Sequence, residues 1–320
     1  MSGPSTDDEL PEALYHYTDA GGLYGILQKE QLWATHVTYL NDSQEFLLGM
    51  DLIDAQLDKL VSPPPAELQN ATAPTPSDLL AALPLAANRG LKQQFRVLSE
   101  ILLKEAGPFV ACLSATRDQL SQWRGYGAGG GYAIRFDTKA FQQHLYAHAA
   151  GIKLTTEGIF ALPIQKRELG KVIYQAAEAI PFINEQIELL ISQFGAFVTN
   201  TLLRTENRPE HPDREGQSLL GPGIAELLGL ATRLKHEGFK EEHEYRIVTF
   251  CPPEFFSPSD IGLIPRVIID FDPSCLKEVM IGPGQHMDTR KSSVRTFLDH
   301  HKDRYPDVTV SRSETPFTGT

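Results

Sequence analysis

The residues of this chain that could do chemistry gather in three short stretches. The first is "KEEHEYRIVTF", residues 240–250. If it forms a strand, alternation puts Glu242, Glu244, Arg246 and Val248 on one face and His243, Tyr245 and Ile247 on the other. Two carboxylates and a guanidinium in a row are unfavourable unless solvated or paired. Either the row is a surface ladder of salt bridges, or a carboxylate there holds sugar hydroxyls and stabilises positive charge developing at a ribose carbon.

The second stretch is "LSQWRGYGAGGGYAIRF", residues 120–136. Trp123, Arg124 and Tyr126 beside glycines suit stacking on a flat ring and holding a phosphate. They suit equally an aromatic core helix followed by a hairpin-like loop. The glycines lack the Gly-Lys-Ser/Thr ending of a Walker A loop, and no strand feeds them as in a dinucleotide fingerprint.

The third is "LYHYT", residues 14–18, where Tyr15 and Tyr17 share one strand face and His16 lies on the other with Leu14 and Thr18. His16 is either a half-buried strand histidine satisfied by a neighbour or the polar handle on the floor of a ligand cleft. A metal role needs partners at ligand spacing. His236 and His243 lie seven apart without an H-E-x-x-H pattern, so no metal is expected. There is no G-x-S-x-G elbow and no cysteine with a histidine nearby, which leaves Ser–His–Asp chemistry without support.

Composition bounds the function class. The 320 residues carry 41% hydrophobic and 22% charged side chains, as globular proteins do, and a net charge of −12 that repels a phosphate backbone at long range. No apolar run approaches the roughly 18 to 20 residues that span a bilayer. The start "MSGPSTDDEL" has neither a basic nor an apolar signal region, so no secretory signal is expected. Cys112, Cys251 and Cys275 are scattered and odd in number. They argue against a disulfide framework and for a reducing cytoplasm.

The elements that must position these residues follow from periodicity. "LYHYT" and "LWAT" read as strands flanking the short helix "GGLYGILQKEQL". Asp42 or Ser43 can cap the next helix, with Glu45 near the third position of a capping box. Residues 61–78 hold five prolines and predict an exposed, mobile loop. Helix resumes to about Ala106, then come strand "PFVACLS", helix "QLSQWRGY", strand "YAIRFD", a helix near 139–149 and a short strand "KVIY". Residues 175–204 predict a long helix with Ile180, Ile183, Ile187, Leu190, Ile191 and Phe194 as its stripe. "ENRPEHPDREG" reads as a polar loop and 223–237 as a helix, which makes 175–237 a helical insertion. Strands "YRIVTF", "RVIIDF", "EVMIG" and "VTVS" follow, with a helix near 290–303. Strands and helices do not alternate regularly, which predicts one α+β domain with a core at about 14–311 rather than a doubly wound sheet.

Taken together, "YHYTDAGGLYGILQKEQLWATHVTYLND", "CLSATRDQLSQWRGYG", "GYAIRFD" and "FKEEHEYRIV" resemble the bacterial family known as domain of unknown function 2971. The resemblance runs from about Leu14 to "VMIGPG" near 284. The opening unit is also similar to ADP-ribosyltransferases, notably the DNA-modifying toxins and the RNA 2′-phosphotransferases. That second resemblance implies an ADP-ribosyltransferase-like split β-sheet with helical insertions and NAD as the substrate. It implies that His16, with Tyr17 and Thr18 alongside, contacts the NAD ribose, that Ser114 sits on the middle strand, and that Trp123 or Tyr126 packs on nicotinamide near Arg124. Glu244 then supports an oxocarbenium-like transition state, with Glu242 completing an E-x-E pair, and all of these converge on one cleft between two half-sheets. The acceptor is expected to be a protein or a nucleic acid, in a toxin or phage-defence setting with an antitoxin or other partner protein. The alternative is a nucleotide-sensing or protein-interaction module that keeps the fold without the reaction.

Overall fold

The computed structural model describes residues 10–40, 43–60, 76–127, 130–149, 167–203 and 212–316. The chain enters as strand β1 (Ala13–Thr18) and turns at once into helix α1 (Ala20–Lys29). The Asp19 carboxylate caps α1 by accepting from the Gly22 N–H, and Glu30 ends it in the left-handed region at φ 59°. Strand β2 (Gln31–His36) follows, then α2 (Ser43–Leu60) and α3 (Pro76–Glu105). Next come β3 (Pro108–Ser114), α4 (Leu120–Tyr126), β4 (Tyr132–Asp137) and α5 (Thr138–Ala149). Strand β5 (Glu168–Lys171) leads to the long helices α6 (Ala176–Leu203) and α7 (Pro212–Ala231). The chain closes through β6 (Glu244–Phe250), β7 (Phe255–Ser259), β8 (Gly262–Asp270), β9 (Leu276–Ile281), α8 (Met287–His300) and β10 (Thr309–Arg312).

The fold is α+β, with helices added to one large mixed sheet. The sheet falls into two halves. One runs β10-β9-β4-β1, and the other runs β5-β6-β3-β2-β8-β7. Among the described residues a single ladder pair joins them, Tyr15 of β1 opposite Ser114 of β3. Strand β3 pairs with β6 over its whole length, but its opposite edge is shared: β2 takes Phe109 and Val110, and β1 takes only Ser114. Between those contacts the edge has no ladder partner among the described residues.

The halves are held by what lies between and outside them. Leu14, Ile134 and Val279 from the first half pack with Phe109, Leu113, Ile247 and Ile269 from the second in one continuous core. Helices α2, α3, α6 and α7 cover the outer face of the second half, where Val248 and Phe250 meet Ile53, Leu98, Ile187 and Leu228. Strand β6 is buried at every position, its odd residues between the halves and its even residues under the helices. Glu244 and Arg246 are even residues, so this layering puts two charges beneath a helical cover.

Several sequence expectations shift. The stripe predicted for 175–204 is present in α6, with Ile183, Ile187 and Leu190 buried and Ile191 and Phe194 partly so. The strand expected at "KVIY" lies earlier, at Glu168–Lys171, and only Ile173 adds a bridge, to Leu234. The helix expected at 223–237 begins at Pro212 and ends at Ala231, because buried Leu220, Ile224 and Leu228 outweigh the weak helix propensity of "GPG". Strand β7 was not anticipated, since Pro258 argues against a strand except at a sheet edge, and an edge is where β7 lies. The Pro-rich segment 61–78 falls outside the described residues up to 75, and Pro76 begins α3.

Helices α2 and α7 cross where Gly49 faces Ala231. A Cβ on Gly49 would sit 2.7 Å from the Cα and carbonyl oxygen of Ala231, neither of which can rotate away. Gly49→Ala is expected to lower stability by about 1–3 kcal/mol by overpacking. Urea unfolding measures it, and a variant at or above wild-type stability would contradict this packing.

Candidate functional site

A cleft of about 60 Å3 opens at the join of the half-sheets. Tyr15, His16 and Tyr17 form one wall, Tyr126 the opposite one, and Cys112, Ser114, Glu242 and Glu244 the floor. Residues more than two hundred positions apart in sequence meet here because β1 and β6 both flank β3.

His16 fills the place where β1 leaves β3. Its Nδ1 lies 3.0 Å from the Cys112 carbonyl oxygen. A carbonyl only accepts, so Nδ1 carries the proton and Nε2 presents a lone pair. Burial lowers the imidazole pKa below its ordinary value, only partly opposed by the Cys112 bond, so the ring is neutral at neutral pH. In this state His16 offers a ligand an acceptor at Nε2, not a donor.

The floor is a chain of ion pairs. Arg246 Nε donates to Glu244 Oε1 at 2.7 Å, and its Nη2 donates to Glu244 Oε2 and to Glu45 Oε2, each at 3.2 Å. Its Nη1 donates to the Thr232 carbonyl at 2.5 Å. Lys235 Nζ donates to Glu244 Oε2 at 3.0 Å and to Glu242 Oε2 at 2.9 Å. Glu244 is 4% exposed, Arg246 4%, Lys235 3% and Glu45 7%, so these pairs are held out of water. Burial alone would raise the Glu244 pKa; Arg246 and Lys235 outweigh it and hold the carboxyl at about 2. Burial pushes the Cys112 thiol up and the Glu244 charge adds to this, so the thiol stays protonated.

Glu242 differs from Glu244. It ends a 3-10 turn, Glu237–Glu242, and is not a strand residue. His243 between them adopts a left-handed backbone at φ 44°, and the Ala115 N–H donates to its carbonyl at 2.9 Å. Glu242 is half-buried, and only its Oε2 is paired. Among the described residues its Oε1 has no hydrogen-bond partner, so it is the carboxylate oxygen available to a ligand.

The remaining sequence candidates divide. Tyr126 lines the cleft and is 42% exposed as a residue. Burial of its phenol, beside Cys112 and Glu244, pushes its pKa up. Trp123 is fully buried, packs edge-on to Tyr17 at 4.7 Å and donates Nε1–H to Asp118 at 2.6 Å. It is a core residue and offers no stacking face. Ser114 spends its hydroxyl proton on the Glu242 carbonyl at 2.7 Å and accepts from the Thr116 N–H at 3.1 Å. It positions the Glu242 backbone. The Tyr17 hydroxyl is likewise engaged by Thr116 and Gln119. Arg124 is exposed and, like Thr18, lies off the cleft.

Lys235, Glu45 and Cys112 are the site residues that sequence reasoning missed. Glu45 reads as a capping residue, but it faces Arg246, 201 positions away. Lys235 follows the end of α7, where the chain leaves helix and the Lys235 N–H bonds to Ile173 at 3.0 Å. No local pattern marks that exit.

A family model described as protein of unknown function (DUF2971) matches residues 122–247. The matched span holds Tyr126, Lys235, Glu242, Glu244 and Arg246, and leaves out His16, Glu45 and Cys112. No curated protein and no solved structure gives a significant match. No helix among the described residues is long and apolar enough to cross a membrane.

Proposed function

We propose that this DUF2971 chain is an NAD-dependent ADP-ribosyltransferase or NAD glycohydrolase, with its site in the cleft between the half-sheets. The observation that supports this best is the meeting of neutral His16, Tyr126 and half-paired Glu242 in one cleft above a network that keeps Glu244 ionised.

Cleaving the nicotinamide–ribose bond sends its electron pair to the pyridine nitrogen and leaves positive charge on the sugar. A fixed carboxylate facing that sugar stabilises the transition state more than the ground state. Glu242 Oε1 is placed for this role, and Glu244 acts beneath it by fixing Lys235. His16 Nε2 accepts from a ribose hydroxyl and orients the sugar. Tyr126 supplies a flat face for nicotinamide. Glu45, Glu242 and Glu244 outnumber Lys235 and Arg246, so the floor favours a cationic pyridinium and the oxocarbenium formed from it. At about 60 Å3 the cleft is well below the roughly 300–1,000 Å3 of small-molecule sites. A nicotinamide riboside therefore needs the Tyr126 wall to swing outward. The nucleophile is water or a group on a protein or nucleic acid, and the resemblance to toxins extends the reading to a cytoplasmic toxin or phage-defence effector.

The narrow cleft, and the engagement of both Glu244 oxygens by cations, favour a second reading: a module that binds a nucleotide without turnover. Incubation with NAD labelled in the nicotinamide ring separates the two. The enzyme reading expects time-dependent release of free nicotinamide. Saturable NAD binding without release supports the second reading, and absence of both binding and release rejects the two together.

A further inference from the structure

A second cavity, of about 550 Å3, runs along strand β5 and the start of α6 and shares no lining residue with the cleft. Its walls are apolar and aromatic, built from Leu169, Ile173, Phe182 and Tyr245. Its volume lies in the range of small-molecule sites.

Arg233 gives this cavity its chemistry. The residue is 5% exposed, yet among the described residues its guanidinium makes no hydrogen bond within 3.5 Å. Its ion-pair partner is Glu168 Oε1, at 3.7 Å. A buried guanidinium with its donors open to a cavity is costly unless something in the cavity accepts from them. The backbone is shaped to hold it there: Gly170 leaves the space, since a Cβ at that position would lie within 2.4 Å of Nη1. Lys171 and Lys240 also line the cavity, so with Arg233 three cations face the carboxylates of Glu168 and Glu178.

We propose that this cavity is a binding site for a small organic acid with an aromatic or branched apolar body, its carboxylate on Arg233 and its body between Phe182 and Tyr245. The planar fork of Arg233 matches a carboxylate, and its five donors serve a ligand and Glu168 together. The site stands next to the cleft through the backbone. The Val172 N–H donates to the Glu244 carbonyl at 3.0 Å, and the Tyr174 hydroxyl accepts from the Glu244 N–H at 2.8 Å.

Calorimetric titration of the full chain with 3-phenylpropionate, and with its neutral amide, tests the site. Saturable binding of the acid is expected at sub-millimolar concentration, with the amide at least about tenfold weaker because the charge-assisted bonds are lost. Arg233→Met is expected to reduce acid binding to the level of the amide. Equal binding of acid and amide, unchanged binding in Arg233→Met, or no saturable binding of the acid would each overturn the proposal. If Arg233→Met does not fold, the acid–amide comparison on the unsubstituted chain still decides.

Discussion

Glu244→Gln is expected to destabilise the folded chain by about 3–5 kcal/mol, the range for removing one partner of a buried ion pair. The carboxylate accepts from Arg246 on both oxygens and from Lys235 on one. Glutamine keeps the shape and one acceptor, but it leaves two buried cations facing a neutral group. Glu242 still accepts from Lys235, and Glu45 still accepts from Arg246.

The pH dependence carries the same signature. The Glu244 carboxyl titrates at about 2 in the folded chain against an ordinary value of 4.5. A depressed folded pKa contributes stability that is fully present above about 4.5 and disappears as the pH falls toward 2. By linkage the contribution at neutral pH is about 3 kcal/mol. Urea unfolding of both proteins at pH 7, 5 and 3 should therefore show a gap that narrows only below pH 5. A gap under about 1 kcal/mol at pH 7 would remove the network from the account of stability.

Glu242→Gln should behave in the opposite way. Its carboxylate is half-buried and has one ion pair, with Lys235, so stability should stay within about 1 kcal/mol of wild type. Nicotinamide release should fall about a hundredfold, as when a preorganised electrostatic group is removed from a transition state. NAD affinity should change little, because the interaction grows with the charge on the sugar. His16→Ala should weaken NAD binding together with turnover, since Nε2 is assigned to orienting the ribose in the ground state as well. Turnover, affinity and unfolding midpoint on these two variants distinguish a charge-stabilising group from an orienting one. Undiminished release by Glu242→Gln would take the carboxylate out of the chemistry.

The two glutamates mark the limit of what alternation can say. Periodicity puts Glu242 and Glu244 on one face, and both do reach the same cleft. It does not say that Glu242 ends a 3-10 turn with one oxygen open while Glu244 lies beneath the helical layer with both engaged. Burial separates them, and it is set by α2 and the exit from α7. Trp123 shows the same limit. An aromatic beside glycines reads equally as a stacking platform or a core residue, and only its full burial against Tyr17 decides.

The sequence by itself determined the local elements whose pattern is strong. Strands β1, β3, β4 and β6 and the stripe of α6 follow from spacing, because side-chain direction repeats every two or 3.6 residues whatever the rest of the chain does. It also determined which residue types were present to do chemistry, His16, Tyr126, Glu242 and Glu244 among them. Tertiary structure alone decided the edges and the partners: β5 moved to Glu168–Lys171, Pro258 was admitted at an edge, and α7 was carried through "GPG". It also drew Glu45 from a helix start to Arg246 and brought Lys235 under both glutamates. These outcomes depend on contacts between segments far apart in the chain, and a buried charge takes its pKa and its role from the neighbours those contacts supply.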